Sequence, residues 1–368
     1  MTKEKVLLKN ELFNKETVSL VSKAIKNVYE DFDEKSFTEE IVSQFDKLEL
    51  KARIHWISTI IRKYLPDSYI ESVKILLNSI ENSKGEGRFV FSAYPDFVST
   101  YGCNIEHLEV SLKMLGEFTK LSSAEFAIRF FINEFPEAAY KKMYEWSKSE
   151  NVDQRRLSSE GLRPKLPWAK GIKFEIGKGA LPLNNLYYDD VRYVTRSVAN
   201  HLNDISKTDP MLVLDTLKEW KQSNKQKNIE MDYIISHSLR TLVKKGHKET
   251  LQFLGYSYDP KVQVTNLLIE KKNINVGDSI SFSFNITAFE DEKLVIDYVV
   301  RYPAIKNRNS TKVFKLKKVS LTKGSSIKIS KNHAFRLMTT KKLYTGEHSV
   351  SIQINGKEFK SVIFNLTV

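Results

Sequence analysis

One cysteine, Cys103, stands among 368 residues. The chain can therefore close no internal disulfide and build no cysteine-based metal cluster. Long apolar runs are missing too: no window approaches the roughly eighteen apolar residues of a membrane span. The opening ten residues are interrupted by three lysines and a glutamate, unlike the unbroken apolar core of a secretory signal. The expected compartment is the cytoplasm. Familiar catalytic motifs are also absent. There is no Gly-x-x-x-x-Gly-Lys, no Gly-x-Ser-x-Gly and no His-Glu-x-x-His, and Gly85-Glu-Gly reads as a turn. The seven histidines are scattered without metal-ligand spacing.

What is present suits a globular protein, with 41% hydrophobic and 28% charged residues. The length fits two domains. The formal charge of +13 is unevenly placed: residues 261–368 carry 19 Lys and Arg against 8 Asp and Glu, most of the surplus. A basic C-terminal part suits a polyanionic partner, although lysine spread over a surface for solubility would look similar.

From about residue 12 to 254 the apolar residues recur at helical spacing. Leu48 to Ile61 forms one such face and ends at Pro66. Asp67 or Ser68, Asn104, and Ser122 or Ser123 read as helix caps. Glu137 to Lys148 continues the series, Asp153 opens a short helix, and Asp209-Pro210 opens another. Ile229 to Lys244 reads as the last long helix. Hairpins of about 40 residues have the period of HEAT-like repeats, which stack into a solenoid with a concave face. Near Pro260 the period changes to two. Val262–Ile269, Ile280–Ile286, Leu294–Val300, Ser349–Asn355 and Val362–Val368 alternate. Gly277-Asp278, Gly324-Ser325, Gly346 and Asn355-Gly356 supply turns. About seven short strands predict an immunoglobulin-like β-sandwich. The expected division is 1–258, helical, and 259–368, a basic sandwich.

The segment from Asp153 to Trp168 gathers three arginines, a lysine, an internal glutamate and a tryptophan. Cations for phosphate, a flat ring for a sugar or base, and an acid suit an enzyme that works on DNA. Glu160 is the first candidate acid; its plain alternative is an ion pair with Arg155, Arg156 or Arg163. Glu125 is the second, against a capping box with Ser122. Asp204 could orient water or restrain a neighbour, or be a solvated helix-end residue. Trp168 follows Pro167, which stiffens its loop. The indole could lie against a deoxyribose or simply anchor the loop. Trp56, Trp146 and Trp220 fall on apolar faces and read as core. Arg155, Arg156, Arg163, Lys165 and Arg196 are candidates for phosphate contacts, with Lys170, Lys173 and Lys178 behind them. In the sandwich the candidates are Arg301, Lys306, Arg308, Lys312, Lys315, Lys317 and Lys318. His201 is assigned no catalytic part.

Arg155 to Trp168, followed by Arg196-Ser-Val-Ala-Asn-His-Leu-Asn-Asp-Ile-Ser-Lys207, resembles the AlkC branch of the AlkC/AlkD family of DNA alkylation-repair glycosylases. The likeness extends over the whole chain, including the Ig-like domain of one AlkC subgroup. It implies hydrolysis of the N-glycosidic bond of cationic alkylated bases, 3-methyladenine and 3-methylcytosine, in duplex DNA. It implies no metal and no cofactor. It further implies that the base need not be fully flipped. The expected state is a monomer, associated with the nucleoid when bound to DNA. The rivals are a non-enzymatic HEAT/Ig scaffold and a DNA-binding relative that has lost catalysis.

Overall fold

Apolar residues spaced three and four apart, punctuated by caps, fold the N-terminal part into paired helices. The computed structural model describes residues 7–80, 88–173, 175–305, 308–336 and 342–368. The turn at Gly85-Glu-Gly, Lys306 and the side chain of Arg308 lie outside the described residues. The chain separates into two compact units, Met1–Thr208 with Leu217–Ser238, and Asp209–Thr216 with Leu239–Val368.

In the first unit the caps fix where helices begin. Asn14 and Thr17 form a reciprocal box before Lys15–Lys26, and Asp33 accepts from the Ser36 N–H before Glu34–Val42. The helices then alternate between two rows. Leu50–Tyr64 packs on Ala93–Tyr101, which meets Ile128–Glu134; Val152–Glu160 packs on Arg192–Ile205, and that on Asn228–Ser238. Tyr69–Ile80, Leu108–Phe118 and Pro136–Trp146 form the other row. This is the HEAT-like α-α solenoid. Its core is closed by Phe37, Ile57, Ile61, Phe97, Leu115, Phe131 and Leu157, each essentially without exposure. Burial of each such side chain contributes about 1.5–3 kcal/mol. Trp146 and Trp220 are core residues and Trp56 is half-buried. A Cβ on Gly116 would lie 2.8 Å from the Trp146 ring, so only glycine leaves room for it.

Three helix boundaries differ from the sequence reading. The helix expected to be capped by Asn104 starts at Leu108, with His107 at its cap. The helix expected from Ser122 or Ser123 starts at Ile128, after a turn, with Ala127 at its cap. The helix expected over 229–244 breaks at Leu239 into Asn228–Ser238 and Arg240–Lys244. Continuous helical periodicity cannot reveal a break when the residues on both sides keep the same face buried.

The second unit is built on eight strands among the described residues: β1 Val262–Ile269, β2 Asn273–Asn275, β3 Ser279–Ala288, β4 Glu292–Ile305, β5 Arg308–Leu321, β6 Ser326–Ala334, β7 Gly346–Ile354 and β8 Lys357–Thr367. They form two sheets, ordered β1-β3-β6 and β2-β8-β7-β4-β5. Along β3, Ile280, Phe282, Phe284, Ile286 and Ala288 alternate inward. They meet Ile296, Tyr298, Val300, Val350 and Ile352 from the other sheet in one core. The β7–β8 hairpin closes on Asn355-Gly356, whose φ values of 48° and 81° are those of a left-handed two-residue turn. Strands β2, β5 and β6 escaped the sequence reading. The run Lys312-Val-Phe-Lys-Leu-Lys-Lys in β5 keeps lysine at an edge, where charge discourages pairing with another sheet and blurs the alternation.

Candidate active site

The last turn of the Val152–Glu160 helix is buried, and it ends on a carboxylate. An unpaired charge at such a place would be strongly destabilising. Glu160 is held at both oxygens. Arg163 Nη1 donates to Oε1 at 2.6 Å and Ser197 Oγ to Oε2 at 2.6 Å. Ser197 arrives on the neighbouring Arg192–Ile205 helix. Arg163 is itself fixed from behind, its Nε reaching Asp204 Oδ2 at 2.9 Å. The other oxygen of Asp204 takes Lys207 Nζ at 2.7 Å. Burial opposes the charge on Arg163, but Glu160 and Asp204 outweigh it and raise its pKa above the ordinary arginine value.

Glu125 reaches the same place from the preceding hairpin. Arg156 Nη1 lies 2.5 Å from Glu125 Oε2, and Nη2 lies 3.7 Å from Glu160 Oε1. Ser123 Oγ accepts from Arg156 at 2.6 Å and donates to Glu125 at 2.9 Å. The Arg156 guanidinium also covers the Tyr193 ring. Two acids from different hairpins therefore meet at one guanidinium. The capping box with Ser122 is not formed, because the helix begins beyond Glu125. Side-chain exposure falls from 17% at Glu125 to 7% at Glu160 and 3% at Asp204. Asp204 thus lies deepest and meets the cluster through Arg163.

Trp168 is the other exceptional residue. It is 74% exposed, and its φ of 61° is left-handed. That conformation costs a non-glycine residue about 1–3 kcal/mol and must be held by its surroundings. Lys51 donates to its carbonyl from the Leu50–Tyr64 helix. The base of the loop is clamped by Arg129, which is 1% exposed. Its Nη1 donates to the Gly161 and Arg163 carbonyls at 2.9 and 2.8 Å, and its Nε to that of Lys170 at 2.5 Å. One turn further along the same helix, Asn133 bonds both Gly171 O and Lys173 N at 3.0 Å. Burial, followed by the charge of Arg163, pushes the Arg129 pKa down to about 10.

The expected cations divide into three groups. Arg156 and Arg163 belong to the acid cluster. Lys165 and Arg196 are exposed. Arg155 is turned away, bonded to Asp189 at 2.6 Å and to the carbonyls of Ser149 and Glu150. Lys178 pairs with Glu137 and Glu175, and Lys170 lies exposed over the Phe130 ring. In the second unit, Lys312, Lys315, Lys317 and Lys318 are exposed, whereas Arg301 is bonded to Ser351 and Glu358. His201 is fully buried and burial pushes its pKa down to about 4, so its ring is neutral at pH 7.

Sequence reasoning missed Ser123, Arg129, Ser197 and Lys207. Arg129 had one usable signal, a charge inside the apolar run from Phe126 to Ile132. The serines had none, since serine is common on any helix. Together the cluster sets three carboxylates among fixed cations, with the exposed Tyr193 ring against Arg156. Such preorganised charge can stabilise a positive centre that forms against it.

Comparison with known proteins agrees over both units. Residues 263–368 match the family model described as the C-terminal Ig-like domain of uncharacterised protein YhaZ. Uncharacterized protein YhaZ of Bacillus subtilis (strain 168) is 34% identical over 360 residues, covering 97% of this chain and 98% of that one. The structure is similar to that of the Pseudomonas fluorescens alkylpurine DNA glycosylase AlkC bound to DNA containing an abasic site analog. The TM-score is 0.89 at 32% identity, covering 99% of this chain and 100% of the other.

Proposed function

The chain belongs to the AlkC-type glycosylase family with a C-terminal Ig-like domain, and from that membership we propose that it is a DNA glycosylase hydrolysing the bond between deoxyribose and a cationic alkylated base. Its substrates are 3-methyladenine and 3-methylcytosine in duplex DNA, and its product is an abasic site. A base alkylated on a ring nitrogen already carries positive charge and leaves without an acid to protonate it. Positive charge then develops on C1′ of the sugar, as in other glycoside hydrolyses. Glu160 stabilises that charge and, with Glu125, holds and deprotonates the attacking water. Asp204 is a positioning residue that acts through Arg163. Trp168 lies against the sugar.

Phosphate contacts fall to the exposed Lys165 and Arg196. Arg156 and Arg163 orient the acids, and Arg155 braces the helix through Asp189. Because the bond is weakened by the lesion itself, partial displacement of the nucleotide suffices, without the full extrusion most base-processing enzymes use. Catalysis belongs to residues 1–258 of a single chain acting as a monomer, and the sandwich, 259–368, adds grip on the duplex. No metal or cofactor takes part in this scheme.

The observation that carries the reading is the meeting of Glu160 and Glu125 at Arg156. The test is release of 3-methyladenine and 3-methylcytosine from methylated duplex. Release that is lost in Glu160→Gln while duplex binding persists supports the enzyme. Binding without release by the native protein would indicate an inactive relative, and neither binding nor release a scaffold.

A further inference from the structure

Beside the acid cluster, a cavity of about 180 Å³ opens among the Leu50–Tyr64, Ala93–Tyr101 and Ile128–Glu134 helices. It is several times the roughly 30 Å³ share of one water. Two ammonium groups line it, and both are restrained. Lys51 Nζ lies 4.6 Å from the centre of the Phe126 ring and Lys170 Nζ 4.6 Å from that of Phe130. The only carboxylate among the lining residues, Asp96, is engaged by His55 Nδ1 at 3.0 Å. The surplus is positive, and the walls formed by Phe130 and Pro95 are apolar.

That combination suits an oxyanion attached to a compact apolar group. The cavity also adjoins the reaction centre. Ser123 lines it while bonding Arg156 and Glu125, and Lys51 bonds the carbonyl of Trp168. We propose that Lys51 and Lys170 form a subsite for one backbone phosphodiester of the strand that carries the lesion, with its sugar against Phe130. The proposal rests on the DNA glycosylase reading and deepens it. It makes Lys51 a shared anchor, so that seating the backbone and placing the indole are linked.

The test is the salt dependence of affinity for an undamaged duplex. A lost phosphate contact lowers the slope of log K against log salt by about 0.9. Lys51→Gln and Lys170→Gln should each show that loss, Lys51→Arg should restore the slope, and Lys74→Gln, on an exposed lysine of another helix, should leave it unchanged. Native slopes in both glutamine variants, with the native protein binding duplex normally, would overturn the subsite and leave the glycosylase reading intact. Failure of the native protein to bind duplex would overturn both. A thermal shift with inorganic phosphate that Lys51→Gln abolishes, together with an unchanged DNA slope, would assign the cavity to a free anion and also overturn the proposal.

Discussion

Charge is treated in opposite ways in the two units. At the candidate site in the solenoid the acids and arginines are buried, paired and braced, as in the run Glu160, Arg163, Asp204, Lys207. In the sandwich, Lys312, Lys315, Lys317 and Lys318 stand exposed along an edge strand. A fixed charge is costly to bury but can discriminate between a neutral sugar and a cationic one. An exposed lysine costs little, and it holds phosphate by displacing counterions rather than by geometry. The contrast teaches that the first arrangement suits chemistry and the second suits grip.

Substitutions can sharpen or break this contrast. The largest effect is expected from Glu160→Gln. Single-turnover base release should fall by about a thousandfold or more, in the range of lost transition-state electrostatics, with duplex affinity little changed. A fall in affinity alone would place Glu160 with the gripping residues. Next comes Arg129→Met, which leaves the carbonyls of Gly161, Arg163 and Lys170 without their donor. Chemical denaturation should register a loss of roughly 3 kcal/mol, and Arg129→Lys should retain part of it.

A third test lies in the sandwich, where Asp297 is a buried acid. Burial pushes the Asp297 carboxyl up to about 6, against the opposing influence of Lys244, Lys315 and Lys318. A raised acid favours the folded state below its unfolded pKa and loses that advantage as pH rises through about 6. Asp297→Asn should therefore stabilise the unit at pH 7 by about 2–3 kcal/mol and change little near pH 4. A benefit independent of pH would contradict the assignment. The smallest effect is expected from combining Lys315→Gln, Lys317→Gln and Lys318→Gln. Duplex affinity should weaken and its salt slope flatten by up to about 0.9 per contact, while base release at saturating protein stays the same.

Much of the architecture is legible in the sequence, because period and caps are local properties. The change from helical spacing to alternation near Pro260 marks the start of the strands, and β1 falls where alternation puts it, over Val262–Ile269. Asn355-Gly356 marks its hairpin by chemistry alone. The break at Leu239 and the lysine-rich β5 are not legible, since tertiary packing and edge protection override the local pattern. Of the site, Glu160, Glu125, Arg156, Arg163 and Asp204 come together as their residue types suggest. Their connections do not appear in the sequence. Ser197 meets Glu160 across 37 positions and Arg129 reaches Lys170 across 41, distances over which no short motif carries information. Arg155 illustrates the converse: its motif is conspicuous, yet folding turns it toward Asp189.

The most direct measurement compares affinity for two duplexes, one carrying a cationic ring-nitrogen analogue of the sugar and one a neutral abasic analogue. The proposed gathering of negative side chains around C1′ predicts that the native protein prefers the cationic duplex by at least about tenfold, and that Glu160→Gln abolishes the preference without weakening binding to the neutral one. Equal affinity of the native protein for both would contradict the account.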